Sequence, residues 1–289
     1  MLLAGCASSS GPAPVPDPAV AALPAAATVE DVPFFAQEDL YCGPAALAMA
    51  LAWSGLDVTQ EEIAPLVYTP GRQGTLASDL VAGARRKGRL AVPVTTMEAL
   101  LAEVASGHPV IVFQNLGLAW LPQWHFAVVT GYDLLNDRLR LHSGTIPDLG
   151  MDKELFERTW NRADDWGLVV LPPDRLPASG DERAVLEAAV ALERADRPAA
   201  ASKAYRAALN RWPESLPGWI GLGNTAYAMG ELDRSEAAFD AATRLFPDAA
   251  AGWQNLAVVR ESRGDLAGAA KAANRAARLQ PEPPAAGAE

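Results

Sequence analysis

From Val32 onward, apolar positions along the chain fall into two regimes. Cys42-Gly43-Pro44 opens a run from Ala45 to Trp53 that is apolar nearly all round and rich in strong helix formers. Such a run predicts a buried helix, ended by Ser54-Gly55. Thr59 with Glu62 is a capping-box pattern for a second helix over 60–67. Thr75 to Gly88 and Met97 to Ala105 predict a third and a fourth. Strand patterns then take over, at 109–113, 125–130, 138–141 and 167–171, with a short helix from Asp152 to Trp160 between the last two. Val32-Pro33-Phe34-Phe35 reads as one more short strand. Helices first and strands afterwards predict an α+β domain, its helices packed on an antiparallel sheet.

Pro172 to Gly180, rich in Pro, Ser and Gly, is punctuated as a linker. Beyond it the chain is Ala-rich, helical and periodic. Trp219 and Trp253, Gly230 and Gly264, Leu232 and Leu266, and Pro247 and Pro281 are each 34 residues apart. That period with those residues resembles the tetratricopeptide repeat. Three repeats are predicted, at 181–214, 215–248 and 249–282, the first degenerate because Asp196 holds the Gly position. The expected layout is a tether over 1–29, an α+β domain over 30–172, a linker over 173–180 and an all-α repeat domain over 181–284. Each repeat is a helix pair that cannot hide its apolar face alone, so neighbours stack and expose a concave face to a protein partner.

Charge narrows the function classes. The 24 basic and 35 acidic residues give a net charge of −11, with no basic cluster, which argues against nucleic acid as a partner. The only cysteines, Cys6 and Cys42, sit in dissimilar surroundings and suggest no disulfide framework. His108, His125 and His142 lack the spacing of a zinc site, so neither metal nor cofactor is expected. At the N-terminus, Leu3-Ala4-Gly5-Cys6 resembles the bacterial lipobox. The resemblance implies cleavage before Cys6 and lipidation of its sulfur, and Ala7 resembles lipoproteins sent to the outer membrane. The expected location is therefore the cell envelope, lipid-anchored and facing the periplasm. A secretory signal needs a charged start and 7–15 apolar residues, so the rest of that signal is expected upstream of Met1. Residues 7–29, mostly Ala, Pro and Ser, suit a flexible tether.

The chemistry concentrates around Cys42. It stands at the first turn of its helix, where free N–H groups and the dipole favour a thiolate. Gly43 would let a substrate approach the backbone closely, and Pro44 suits a first turn. Gln37, five residues earlier, can place its amide beside the Cys42 N–H, and two such donors make an oxyanion hole. The thiol needs a base. His125 opens a strand, in Trp124-His125-Phe126-Ala127-Val128-Val129-Thr130-Gly131-Tyr132-Asp133, and alternation puts His125, Ala127 and Val129 on one face. Trp53, Trp120 and Trp124 read as packing residues, though Trp124 could wall a cleft. His108 reads as a turn residue before a strand.

Gln37-x4-Cys42-Gly43-Pro44-Ala45 with Leu47 and Met49, followed by the His125 segment, resembles the bacteriocin-processing (double-glycine) family of papain-like cysteine peptidases. The resemblance spans about 30–172. It implies Cys42 as nucleophile, His125 as general base and Gln37 as oxyanion-hole donor, acting on a peptide or protein substrate without a cofactor. The family also places an Asp sixteen to eighteen residues after the His, to orient the imidazole. Here that stretch reads Arg140-Leu141-His142-Ser143-Gly144, with no carboxylate. His142 or Ser143 could take the place, or Cys42 and His125 act as a dyad. The leading expectation is a thiol peptidase of the envelope. A catalytically idle peptide-binding scaffold and a related acyltransferase are the alternatives.

Overall fold

The structure is a computed structural model that describes residues 23–37, 41–72 and 74–280. Cys6 and most of the expected tether lie outside the described residues. The first domain is a seven-stranded, entirely antiparallel sheet between two layers of helices. The helices α1 (Cys42–Trp53), α2 (Gln60–Val67) and α3 (Ala77–Arg86) come first, with a two-stranded ribbon of β2 (Tyr68–Thr69) and β3 (Gly74–Thr75) between α2 and α3. Then follow β4 (Leu90–Val94), α4 (Met97–Ala105), β5 (Val110–Asn115), β6 (Trp124–Asp133), β7 (Arg138–Ser143), β8 (Ile146–Asp152), α5 (Lys153–Asn161) and β9 (Gly167–Leu171). The sheet order is β4-β9-β5-β6-β7-β8.

Side-chain alternation sorts the two layers. Phe126 and Val128 of β6, Ile111 of β5 and Leu168 and Val170 of β9 pack on α1, α2 and α3. Their neighbours Ala127, Val129, Val110, Val112, Val169 and Leu171 face α4, α5 and the repeat domain. α1 is buried along its length from Gly43 to Leu51, as a helix apolar on every side requires. The Thr59–Glu62 capping box is formed in both directions, so α2 begins where its sequence says it should.

Two expectations are corrected at the N-terminal edge. Val32–Phe35 is not a strand: Val32 O is taken by His142 Nε2, and the Phe34 ring packs edge-on against that imidazole. The strand lies instead inside the stretch read as tether. β1 (Ala26–Thr28) pairs with Gly131–Asp133 of β6. Ladder hydrogen bonds and the burial of Val29 hold Ala-rich chain whose own composition gives it no reason to order. The short pair β2 and β3 went unread, as did two further strands of the large sheet. β4 carries Pro93 and is tolerated because it is an edge strand. β8 is largely exposed and exists by pairing with β7.

The C-terminal region is three helix pairs: α6 (Glu182–Arg194) with α7 (Pro198–Arg211), α8 (Leu216–Ala228) with α9 (Leu232–Leu245), and α10 (Ala250–Ser262) with α11 (Leu266–Leu279). Gly230 and Gly264 take the positive φ that closes the turn within their pairs, and Asp196 does the same in the first pair. The first pair shares one core with the sheet. Val185, Ala189 and Leu192 of α6, with Tyr205 of α7, join Leu90, Val92 and Leu171. The linker is therefore packed, and Ser179 is hydrogen-bonded to Glu103 of α4.

Candidate active site

Four elements meet at one end of the sheet: the N-terminus of α1, the start of β6, the end of β7 and the chain leading to α1. Cys42 is the first residue of α1, whose first turn holds no acidic residue and no side-chain cap. Its sulfur is within reach of the backbone N–H groups of Phe126, Gly43 and Cys42 itself. Phe126 follows His125 on β6, so the strand that contacts the sulfur is the strand that carries the imidazole.

His125 Nε2 lies 2.9 Å from Ser143 Oγ at the end of β7. That leaves Nδ1 as the ring nitrogen free to exchange a proton. Gln37 is tied to the same corner. Its backbone N–H donates to Gly144 O at 3.0 Å and its side-chain amide donates to Phe126 O at 3.4 Å. The structure thus brings Gln37, Cys42, His125 and Ser143 together. His142 points elsewhere. It is buried, with Nε2 donating to Val32 O and Nδ1 accepting from Asp148 N–H, 3.2 Å each. This is a structural histidine that holds the 32–35 segment, and its reading as a third member of the site is corrected on that ground. Asp133 engages its own turn at Leu135 and Asn136.

The electrostatics reverse one expectation. Burial pushes the Cys42 thiol above its ordinary value, and the facing N–H groups oppose this without cancelling it. Burial pushes the His125 imidazole below its ordinary value, and among the described residues no carboxylate offsets it. Both shifts favour a resting pair of neutral thiol and neutral imidazole over an ion pair.

Gly43 is also assigned differently. A Cβ on Gly43 would fall 2.5–2.8 Å from the side-chain atoms of Thr75, so packing against β3 by itself requires the glycine. Thr75, expected to open the third helix, lies instead in β3, and its contact with a glycine 32 positions away went unread. So did Tyr41 and Tyr68. They stack at 5.1 Å beside the nucleophile position, and with Gln60, Glu61, Ala64, Pro65 and Pro70 they line a cavity of about 490 Å³. The tryptophans divide. Trp53 packs against His108 and beneath Arg175, as read. Trp120 and Trp124 are largely exposed, which corrects their reading as packing residues, although Trp124 stacks on Phe113.

Comparison with known proteins places both domains. The Peptidase_C39 like family matches residues 29–165, and the tetratricopeptide repeat matches residues 220–284. No curated protein matches the chain. Among solved structures, a protein from Bacillus anthracis described as a C39-like peptidase is 20% identical, over 50% of this chain and 97% of its own, with a TM-score of 0.43. The peptidase domain of Streptococcus ComA, a bi-functional ABC transporter of a quorum-sensing pathway, is 24% identical, over 49% of this chain and 99% of its own, at 0.41. A double glycine motif protease from an AMS/PCAT transporter, in complex with its leader peptide, is 22% identical, over 50% and 92%, at 0.38. The first domain has the C39-like peptidase fold, and tetratricopeptide repeats follow it.

Proposed function

We propose that this chain is a cysteine peptidase of the bacterial envelope, with Cys42 as nucleophile, His125 as general base and Ser143 as the residue that orients the imidazole. The observation that carries the reading is the convergence of Cys42, His125, Ser143 and Gln37 at one sheet end. With Nε2–H donating to Ser143 Oγ, Nδ1 takes the thiol proton as Cys42 Sγ attacks the peptide carbonyl. The Cys42 N–H and the Gln37 amide receive the oxyanion. His125 returns the proton to the leaving amine as the C–N bond breaks, and a thioester remains. Water, deprotonated by the same imidazole, then releases the acid and frees the thiol. The repeats would recruit a protein partner or substrate on their concave face, and lipidation at Cys6 would hold the whole at the membrane.

The experiment is a trap for the thioester. The full chain is incubated with peptides from envelope proteins, and cleavage and the acyl adduct on Cys42 are followed by mass spectrometry. Cleavage that disappears in Cys42→Ala and His125→Ala supports the reading. Peptide binding without cleavage or adduct supports a second one, a peptide-binding module on the same fold, favoured by the neutral thiol and the missing carboxylate. A supplied amine appearing in the product would reassign the reaction to acyl transfer.

A further inference from the structure

The hairpin between β5 and β6 runs Leu116-Gly117-Leu118-Ala119-Trp120-Leu121-Pro122-Gln123, directly before Trp124 and His125. It holds no charged residue. Leu116 is 42% exposed, Leu118 52%, Trp120 78%, Leu121 60% and Trp124 52%. The other large exposed apolar side chains, such as Leu76, Leu135, Val258 and Leu266, are scattered singly over separate elements, as is ordinary for a protein surface. Five within nine residues form a patch, and such a patch marks an interaction surface.

The hairpin is also built. Leu118 and Leu121 exchange both backbone hydrogen bonds at 3.1 Å, and Leu116 N–H donates to Gln123 O at 2.9 Å. Asn115 Oδ1 accepts from the N–H groups of Gly117 and Gln123. Arg162, from the chain after α5, donates to Gly117 O at 2.7 Å. A Cβ on Gly117 would meet Leu121 O at 2.4 Å, so only glycine permits the crossing. The polar backbone is satisfied inward while the apolar side chains are presented outward. Ala119-Trp120 is the turn at its tip, and Trp120 there is the most exposed of the five. A peptide is gripped by a groove, whereas an uncharged, pre-ordered hairpin tip with Trp and Leu turned to solvent suits the boundary between headgroups and acyl chains.

The geometry points to this hairpin as a membrane contact that seats the His125 end of the sheet on a bilayer surface, where it would take peptides at or near the membrane. The occupant is a neutral bilayer, because a chain of net charge −11 is repelled by anionic lipid. The chain outside the described residues is compatible with this. The described chain joins the sheet through β1 at the Asp133 end of β6, roughly 30 Å from Trp124 at the rise of a strand. Fully extended, the segment from Cys6 to Leu23 reaches roughly 55 Å, so a lipid at Cys6 and the hairpin tip can lie in one bilayer. The contact depends on neither lipidation nor catalysis.

The test uses the full chain carrying Cys6→Ser, so that no acyl group contributes, with phosphatidylcholine vesicles. The chain is expected to co-sediment with the vesicles, and brominated lipid to quench its Trp emission. Trp120→Ser combined with Leu121→Ser should lower vesicle partitioning at least tenfold while circular dichroism and the unfolding midpoint stay put, since both side chains are exposed. Adding phosphatidylserine should weaken binding. Absence of vesicle binding by the parent chain, or binding unchanged in the double variant, overturns the proposal. So does a double variant that only raises KM for apolar soluble peptides, which makes the hairpin a substrate wall, or one that only abolishes self-association. Cleavage of soluble peptides by a chain that fails to bind vesicles would refute the membrane contact and leave the peptidase reading standing.

Discussion

Two histidines flank β5 and β6, and they are provided for in opposite ways. His108, in the turn before β5, is buried, and its Nδ1 lies 2.7 Å from a carboxylate oxygen of Glu103, itself fully buried in α4. The second oxygen of Glu103 accepts from Ser179 N–H and Ser179 O–H, at 2.8 and 2.6 Å, and the Trp53 ring closes on the His108 imidazole. His125, at the start of β6, has the Ser143 hydroxyl as its one hydrogen-bond partner among the described residues. The histidine held by a carboxylate clasps the linker to the sheet domain, whereas the histidine beside the nucleophile position has no charged partner among the described residues. A buried carboxylate with three donors is a rigid structural device. A hydroxyl can orient a ring but cannot stabilise an imidazolium by charge, so the proposed peptidase would have to make its ion pair during the reaction.

The largest effect tests the His125 side of this comparison. His125→Ala is expected to lower peptide hydrolysis by about 10²–10⁴-fold, the usual worth of a positioned base, read as kcat/KM, with the unfolding midpoint little changed. His108→Ala should leave turnover nearly intact. Next, Glu103→Ala leaves the clasp donors unsatisfied and removes a buried partner, so it is expected to cost about 3–5 kcal/mol in urea unfolding. Glu103→Gln, which keeps the shape and loses the charge, is expected to cost about 1–3 kcal/mol.

Ser143→Asp would give His125 what His108 already has. A carboxylate against the imidazole raises its pKa by about 1–3 units and stabilises the thiolate–imidazolium pair. Iodoacetamide labelling of Cys42 at pH 6.5 is expected to quicken about 10–100-fold. In the parent chain the sign runs the other way. The thiol is held above its ordinary value, so labelling should climb only as pH passes above about 8.5, the range of a free thiol. A plateau below pH 7 would show a preformed ion pair and end the contrast. Ser143→Ala, which removes one uncharged hydrogen bond, should lower kcat/KM by about tenfold at most, and this is the smallest of these effects.

The legible parts of the fold were those specified by neighbouring residues. α1 followed from its unbroken apolar run, α2 from Thr59 and Glu62, and α4 and β9 appear with the bounds their patterns gave. The repeats followed from a 34-residue period and are present as three pairs, including the first, which lies outside the region matched by the repeat family. Gln37, Cys42 and His125 carried enough local context to be singled out, and the structure brings them to one corner. What could not be read was set by contacts distant in sequence. β1 orders by pairing with β6, and Gly43 answers to Thr75. The choice between His142 and Ser143 depends on which one the irregular register at the end of β7 turns toward His125. The burial that opposes a thiolate at Cys42 is likewise set by residues distant in sequence, whereas the helix-terminal N–H groups that favour it are local.

A stack of helical repeats has two ends, and each end is an apolar face in search of a cover. Here the leading face is not left to a polar capping helix. Val185, Ala189, Leu192 and Tyr205 of the first pair sink into the same core as β4 and β9. The sheet domain is therefore the cap of the solenoid. This explains why the first repeat could drift from the pattern of the others: one of its faces answers to a sheet, not to a sister repeat. The two halves are also not interchangeable parts. Cut at the linker, the repeats would expose the apolar side of α6 and the sheet domain would lose part of its core, so a change that loosens either half would be felt in the other.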